Sequence, residues 1–185
     1  GPLESRTPIS VGLELFGEAS ISADIEVIEI FLQTLKTSGV SEVHLDLGHV
    51  DILRGLLGQA ELDDALEAQL CELLQRKARD ELKDWIMVNI EDEKLGQWLN
   101  VLPTLTGSVE VVSAARKALV GAPIAVHEAI DQLEVVVDSI IEKGVTVYLD
   151  LGEMPGYHYH TGIVFAGYVE GYGKALGNGG RYDHV

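Results

Sequence analysis

Basic residues are scarce: 13 Lys and Arg stand against 30 Asp and Glu, a formal net charge of −17. Affinity for nucleic acid comes chiefly from Lys and Arg neutralising phosphates, and no basic run occurs anywhere in the chain. The acidity therefore argues against nucleic acid as a partner, and against an anionic membrane surface. Charge of this sign carries no information about the fold. Cysteine is nearly absent too. Cys71 is the single example, so no internal disulfide can form, which fits a reducing cytoplasm. It falls within a helical apolar pattern with Leu66, Leu70, Leu73 and Leu74, and is expected to be a buried structural thiol rather than a nucleophile. No apolar run approaches the ~20 residues of a membrane span. The opening residues, Gly1 to Arg6, lack the shape of a signal peptide.

What is present suffices for one domain with a true core: 185 residues, 46% of them hydrophobic. Alternation predicts a strand over Ile9 to Phe16, with Ser10, Gly12 and Glu14 on one face. Two small residues beside a carboxylate make a shallow polar surface, suited to a ligand floor. Ser22 is the expected N-cap of a helix with acidic Asp24 and Glu26 in its first turn. Its buried stripe is Ile25, Ile28, Leu32 and Leu35, and Gly39 closes it. A second strand runs from Glu42 to Gly48 with Val43, Leu45 and Leu47 inward, and Val145 to Leu151 repeats its pattern.

Between them, from about 50 to 143, helix formers dominate. One long helix is expected over Glu61 to Ile86, and shorter ones over Lys94 to Leu102, Val109 to Leu119 and Pro123 to Glu142. Asp46 and Asp150 occupy matching strand ends. They are read as acids that bond loop amides, with a catalytic carboxylate pair as the alternative. Near the end, Gly162 to Val169 reads as a strand, Gly171–Gly173 as a turn, and Lys174 to Leu176 as a short returning strand before a glycine-rich loop over 177–183. Strands at both ends with helices between them predict an α+β fold with a mixed sheet and a helical insertion.

Two stretches near the end are more specific. Met154-Pro155-Gly156-Tyr157-His158-Tyr159-His160-Thr161-Gly162-Ile163-Val164-Phe165 resembles the histidine-specific motif of histidyl-tRNA synthetases. Gly179-Gly180-Arg181-Tyr182-Asp183 resembles the tyrosine loop that follows it there, and Gly12-Leu13-Glu14-Leu15-Phe16-Gly17 the end of motif 2 of the same class II family. The wording of YHYHTGIVF and HLDLGHV is closer still to the synthetase's regulatory paralogues, the regulatory subunits of ATP phosphoribosyltransferase. The resemblance implies a class II synthetase-like, mainly antiparallel sheet flanked by helices, with a mostly helical insertion at about 50–143. It implies a partial domain over 1–185, with the motif 1 and motif 3 regions absent. It implies a non-catalytic subunit that joins a short-form catalytic subunit in the first step of histidine biosynthesis, supports activity, answers to L-histidine, needs no cofactor and charges no tRNA. Self-association is expected of the full-length subunit.

Carried over residue by residue, Glu14 matches the carboxylate that holds the α-ammonium of histidine, and a fixed carboxylate suits a cation. The plain alternative is a surface strand glutamate. Tyr159 and His160 stand at the paired tyrosines, and Tyr182 at the loop tyrosine. Such side chains can wall an imidazole and offer hydrogen bonds, or simply pack. Gly179 and Gly180 would let backbone approach a ligand. Ser10, Tyr157 and Thr161 complete the expected histidine site. His158 and His160 form a His-x-His pair, but no third ligand is at hand and no metal is expected. Pro155 replaces the synthetase's activating arginine, and proline has neither charge nor donor to stabilise developing negative charge. Ser10 replaces a glutamine, His158 an aspartate and His160 a tyrosine. A fragment of an active synthetase, or a histidine-binding module with another partner, are the alternatives to the regulatory subunit.

Overall fold

The structure is a computed structural model that describes residues 10–40, 42–58, 60, 62–152 and 159–183. Pro155, Tyr157 and His158 lie outside the described residues.

Helix α1 (Ile21–Thr37) begins after Ser20, two residues earlier than the capping pattern predicts. Gly39 follows its end at φ +90°, as expected of a terminating glycine. Strand β1 (Val43–His49) then buries Leu45 and Leu47. Helix α2 (Val50–Leu57) starts directly from it: His49 Nδ1 accepts the Asp51 N–H and caps the first turn. The stretch expected as one helix from Glu61 divides into α3 (Asp64–Gln75) and α4 (Arg79–Asn89). Lys77 breaks it at φ +52°, a conformation no helix interior tolerates. Helix α5 (Glu93–Val101), capped by Asp92 and followed by a 3-10 turn, leads to a strand that the sequence did not announce, β2 (Thr106–Gly107). Helices α6 (Glu110–Ala118) and α7 (Ile124–Ile141) follow, then β3 (Thr146–Asp150) and β4 (Ile163–Val169).

Strand β5 (Tyr172–Gly180) departs from the sequence reading. The glycine-rich stretch expected as a loop stays in the ladder through Gly180, opposite Val164. Aromatic rings explain its glycines. A Cβ on Gly177 would meet the Phe31 ring at 2.6 Å, and one on Gly179 the Phe165 ring at 2.6 Å. The strand is bare so that two phenylalanines, their ring centres 5.4 Å apart and their planes tilted by 55°, can press close against it.

The five strands run in the order β2-β3-β1-β4-β5, with β1 and β3 parallel and the other pairs antiparallel. This is the expected mixed, mainly antiparallel sheet. Helix α7 crosses behind β1 and β3, and α1 behind β4. Leu45, Leu47, Val147, Leu149, Ile163 and Phe165 face those helices and are buried. Burying each large aliphatic side chain contributes about 2 kcal/mol. The register sets His44, Asp46, Tyr148, Asp150, Ala166, Tyr168 and Asn178 on the other, polar face.

The expected first strand is not formed. Residues 10–16 are exposed and pair with no strand among the described residues. Alternation makes a segment fit to be a strand, but only a neighbouring strand satisfies its backbone.

Candidate functional site

The end of β5 divides two cavities. The larger, about 330 Å³, lies between residues 13–19, α1 and the strand ends, and includes Glu14, Asp24, Phe165, Arg181 and Tyr182 in its lining. The smaller, about 190 Å³, lies on the polar face, lined among others by Asp46, Asp150, His160, Tyr168 and Asn178.

Four of the expected site residues meet here. The Tyr182 hydroxyl donates to the Glu14 carboxylate, and that bond, foremost, pushes the phenol up to about 12. The Tyr159 ring centre lies 5.2 Å from Tyr182 and 5.3 Å from His160, so Tyr159 packs between the two. His160 Nδ1 lies 3.3 Å from the Arg181 carbonyl. A carbonyl only accepts, so Nδ1 carries the proton and Nε2 is left with an acceptor lone pair. Burial is the main reason its imidazole titrates below the usual range. This side chain is a neutral acceptor beside the smaller cavity.

Thr161 lines neither of these two cavities. Its hydroxyl donates to Asp183 Oδ2 at 2.8 Å and accepts the Asp183 N–H at 3.0 Å, which pins the segment after β5. Gly180 gives the His160 ring its place, since a Cβ there would lie 2.7 Å from Nδ1. Beside Gly179 stands Phe165. Ser10 is exposed.

Sequence reasoning passed over two positioning residues. Arg181 runs along the Asp24 carboxylate, Nη2 to Oδ2 2.8 Å and Nε to Oδ1 3.1 Å, and also donates to the Ser20 carbonyl and Asp183. It fixes Tyr182, its chain neighbour, to the start of α1. Its place inside GGRYD was the available signal; Asp24, read as a first-turn acid, is its counterion. Arg54 of α2 donates to the His160 carbonyl at 2.9 Å and to Asp51 at 2.9 Å. Nothing local marked it.

Asp150 behaves as the plain reading expected, accepting the Gly152 N–H at 3.0 Å. It also pairs with Lys77. Cys71 is half-buried, and burial, then Glu67, raises its thiol to about 11, which keeps it unreactive. Among the described residues, no three His, Cys, Asp or Glu side chains gather as a metal set, and no helix is long and apolar enough to cross a membrane.

The larger cavity thus offers a carboxylate bonded to a phenol, which suits a cationic group, and the smaller a neutral imidazole acceptor, which suits an N–H donor. Solved structures share the fold of this chain, which is class II histidyl-tRNA synthetase-like. An ATP phosphoribosyltransferase regulatory subunit/histidyl-tRNA synthetase from Bacillus halodurans superposes with a TM-score of 0.76 at 27% identity, covering 90% of this chain and 44% of that one. A histidyl-tRNA synthetase from Nostoc follows with a TM-score of 0.70 at 16% identity, covering 91% and 42%. A chain of the ATP phosphoribosyl transferase (HisG:HisZ) complex from Thermotoga maritima gives 0.68 at 20%, covering 88% and 57%.

The chain belongs to the histidyl-tRNA synthetase family, whose model it matches over residues 1–185. Within that family it is similar to proteins named ATP phosphoribosyltransferase regulatory subunit. The one from Saccharophagus degradans is 44% identical over 188 residues, covering 100% of this chain and 48% of that protein. The one from Pseudomonas syringae pv. tomato is 47% identical over 183 residues, covering 98% and 46%. The chain thus spans about half the length of these relatives.

Proposed function

We propose that this chain is part of a non-catalytic regulatory subunit of ATP phosphoribosyltransferase, acting in the cytoplasm in the first step of histidine biosynthesis. It joins a short-form catalytic subunit, supports its activity and passes on feedback by L-histidine. The observation that carries this reading is identity of 44% and 47% across nearly the whole chain to relatives of that name. Two features of the sequence support it. Pro155 stands where the synthetase motif has its activating arginine, so adenylate formation loses its cation. The net charge of −17 opposes tRNA.

Histidine is the effector that the site suits. Glu14 takes the ammonium, and Tyr159, His160 and Tyr182 wall the imidazole. Ser10, Tyr157, Gly179 and Gly180 complete the proposed site, with Thr161 acting through the segment after β5 that it pins to Asp183. His160 Nε2 offers an acceptor to a ring N–H. The full-length subunit self-associates. No metal or cofactor enters this function.

The test is phosphoribosyl-ATP synthesis by the short catalytic subunit of the same organism, with and without the full-length protein, titrated with histidine. Activity that rises on mixing and falls with histidine is expected. No complex and no change in activity would leave a histidine-binding module with another partner. Robust histidine-dependent ATP–pyrophosphate exchange by the full-length protein would make it a synthetase.

A further inference from the structure

Lys77 is the single residue other than glycine at positive φ among the described residues, at +52°. It sits where α3 ends: its N–H returns to the Leu74 carbonyl at 3.0 Å and the Ala78 N–H to Leu73 at 3.1 Å. Helices favour glycine at this position because a Cβ crowds the backbone there. Lysine brings what glycine lacks, a long stem and an ammonium. That ammonium lies 2.5 Å from Asp150 Oδ2, on a carboxylate whose side chain is only 8% exposed. Asp150 ends β3, lines the smaller cavity with His160 and Asn178, and holds the Gly152 N–H through its other oxygen. The Lys77 side chain is 41% exposed, and an ion pair with one partner in water adds little net stability, so stability alone gives no reason to keep lysine in a strained conformation. The strain is accounted for by where the carboxylate is held.

We propose that Lys77 is a positioning residue of the smaller cavity: by holding the Asp150 carboxylate in place, it fixes a wall of the cavity that His160 also lines and ties ligand affinity to the packing of α3 and α4. As to ligand identity, this rests on the histidine reading above; as to the Asp150 geometry, it does not.

The experiment uses the full-length protein, Lys77→Gly and Lys77→Arg. Its readouts are L-histidine affinity by calorimetry, thermal stability, and hydrogen exchange at the Gly152 amide. Glycine releases the backbone strain but leaves the largely buried Asp150 carboxylate without this cation, so Lys77→Gly is expected to lower the melting temperature modestly while weakening histidine binding about fivefold. Lys77→Arg keeps the cation and is expected to bind within about twofold of the parent. Parental histidine affinity in Lys77→Gly overturns the proposal. If the parent protein binds no histidine, it is the histidine reading that fails, and Lys77 is judged on Gly152 alone. Faster exchange there in Lys77→Gly, with Leu45 of β1 unchanged, then upholds its positioning role, and an unchanged rate overturns it.

Discussion

The Arg181 guanidinium lies side-on against the Asp24 carboxylate across 157 residues of sequence, with both side chains largely buried at 13% and 10% exposure. This pair joins the first turn of α1 to the end of β5 and sets where Tyr182 stands. Breaking a largely buried pair leaves one charge without its partner. Asp24→Asn is therefore expected to destabilise the protein by about 3 kcal/mol in urea unfolding. Arg181→Lys keeps the charge but loses the fork, and should fall between the parent and Arg181→Ala.

Glu14 and Tyr182 test the ligand site itself. With the phenol held near 12 by its bond to Glu14, Glu14→Gln should let one tyrosine titrate closer to the ordinary value of about 10. Carbon-13 NMR of labelled tyrosine, compared between parent and variant, reads the change. The same variant should weaken histidine binding; an unmoved affinity would leave Glu14 as a surface residue.

Acid should destabilise the fold through His49. It is buried at 1% exposure, its Nδ1 accepts from Asp51, and its Nε2–H therefore donates to Gln132 Oε1 at 3.1 Å. Burial depresses its folded pKa below the usual histidine range. The unfolded chain thus takes up the proton first, near pH 6.5. Stability is fully present above that pH and declines as pH falls through the folded value. Burial lowers His160 in the same direction. Denaturant unfolding measured between pH 7.5 and about 5 is expected to show this slope. His49→Gln should remove part of it and leave the His160 share.

The two glycines ending β5 should differ on substitution. Gly179→Ala drives a methyl into the Phe165 ring, which is 8% exposed and boxed in by core, so a cost of about 2 kcal/mol is expected in thermal unfolding. Gly180→Ala instead meets His160 at 2.7 Å and Val164 at 3.0 Å. The histidine is only half-buried and can yield, so stability should suffer less and histidine affinity more.

Much of the architecture was written in local periodicity. Helix α1, strands β1, β3 and β4, and the helices from α5 to α7 stand within about two residues of where the apolar spacing put them, because each pattern states which face must leave water. The motif residues Tyr159, His160 and Tyr182 were legible as residue types, and Arg181 stood in view without a partner. Tertiary structure decided what depends on a distant neighbour. Residues 10–16 alternate correctly yet form no strand, since a ladder needs a second chain segment. The glycines of β5 read as a loop until Phe31 and Phe165, from other elements, came to lie on them. The break at Lys77 and the meeting of Arg181 with Asp24 have the same origin. Periodicity reports only what a residue does relative to its own helix or strand, whereas ion pairs, ring seats and strand pairing are settled by which surfaces the folded chain brings into contact.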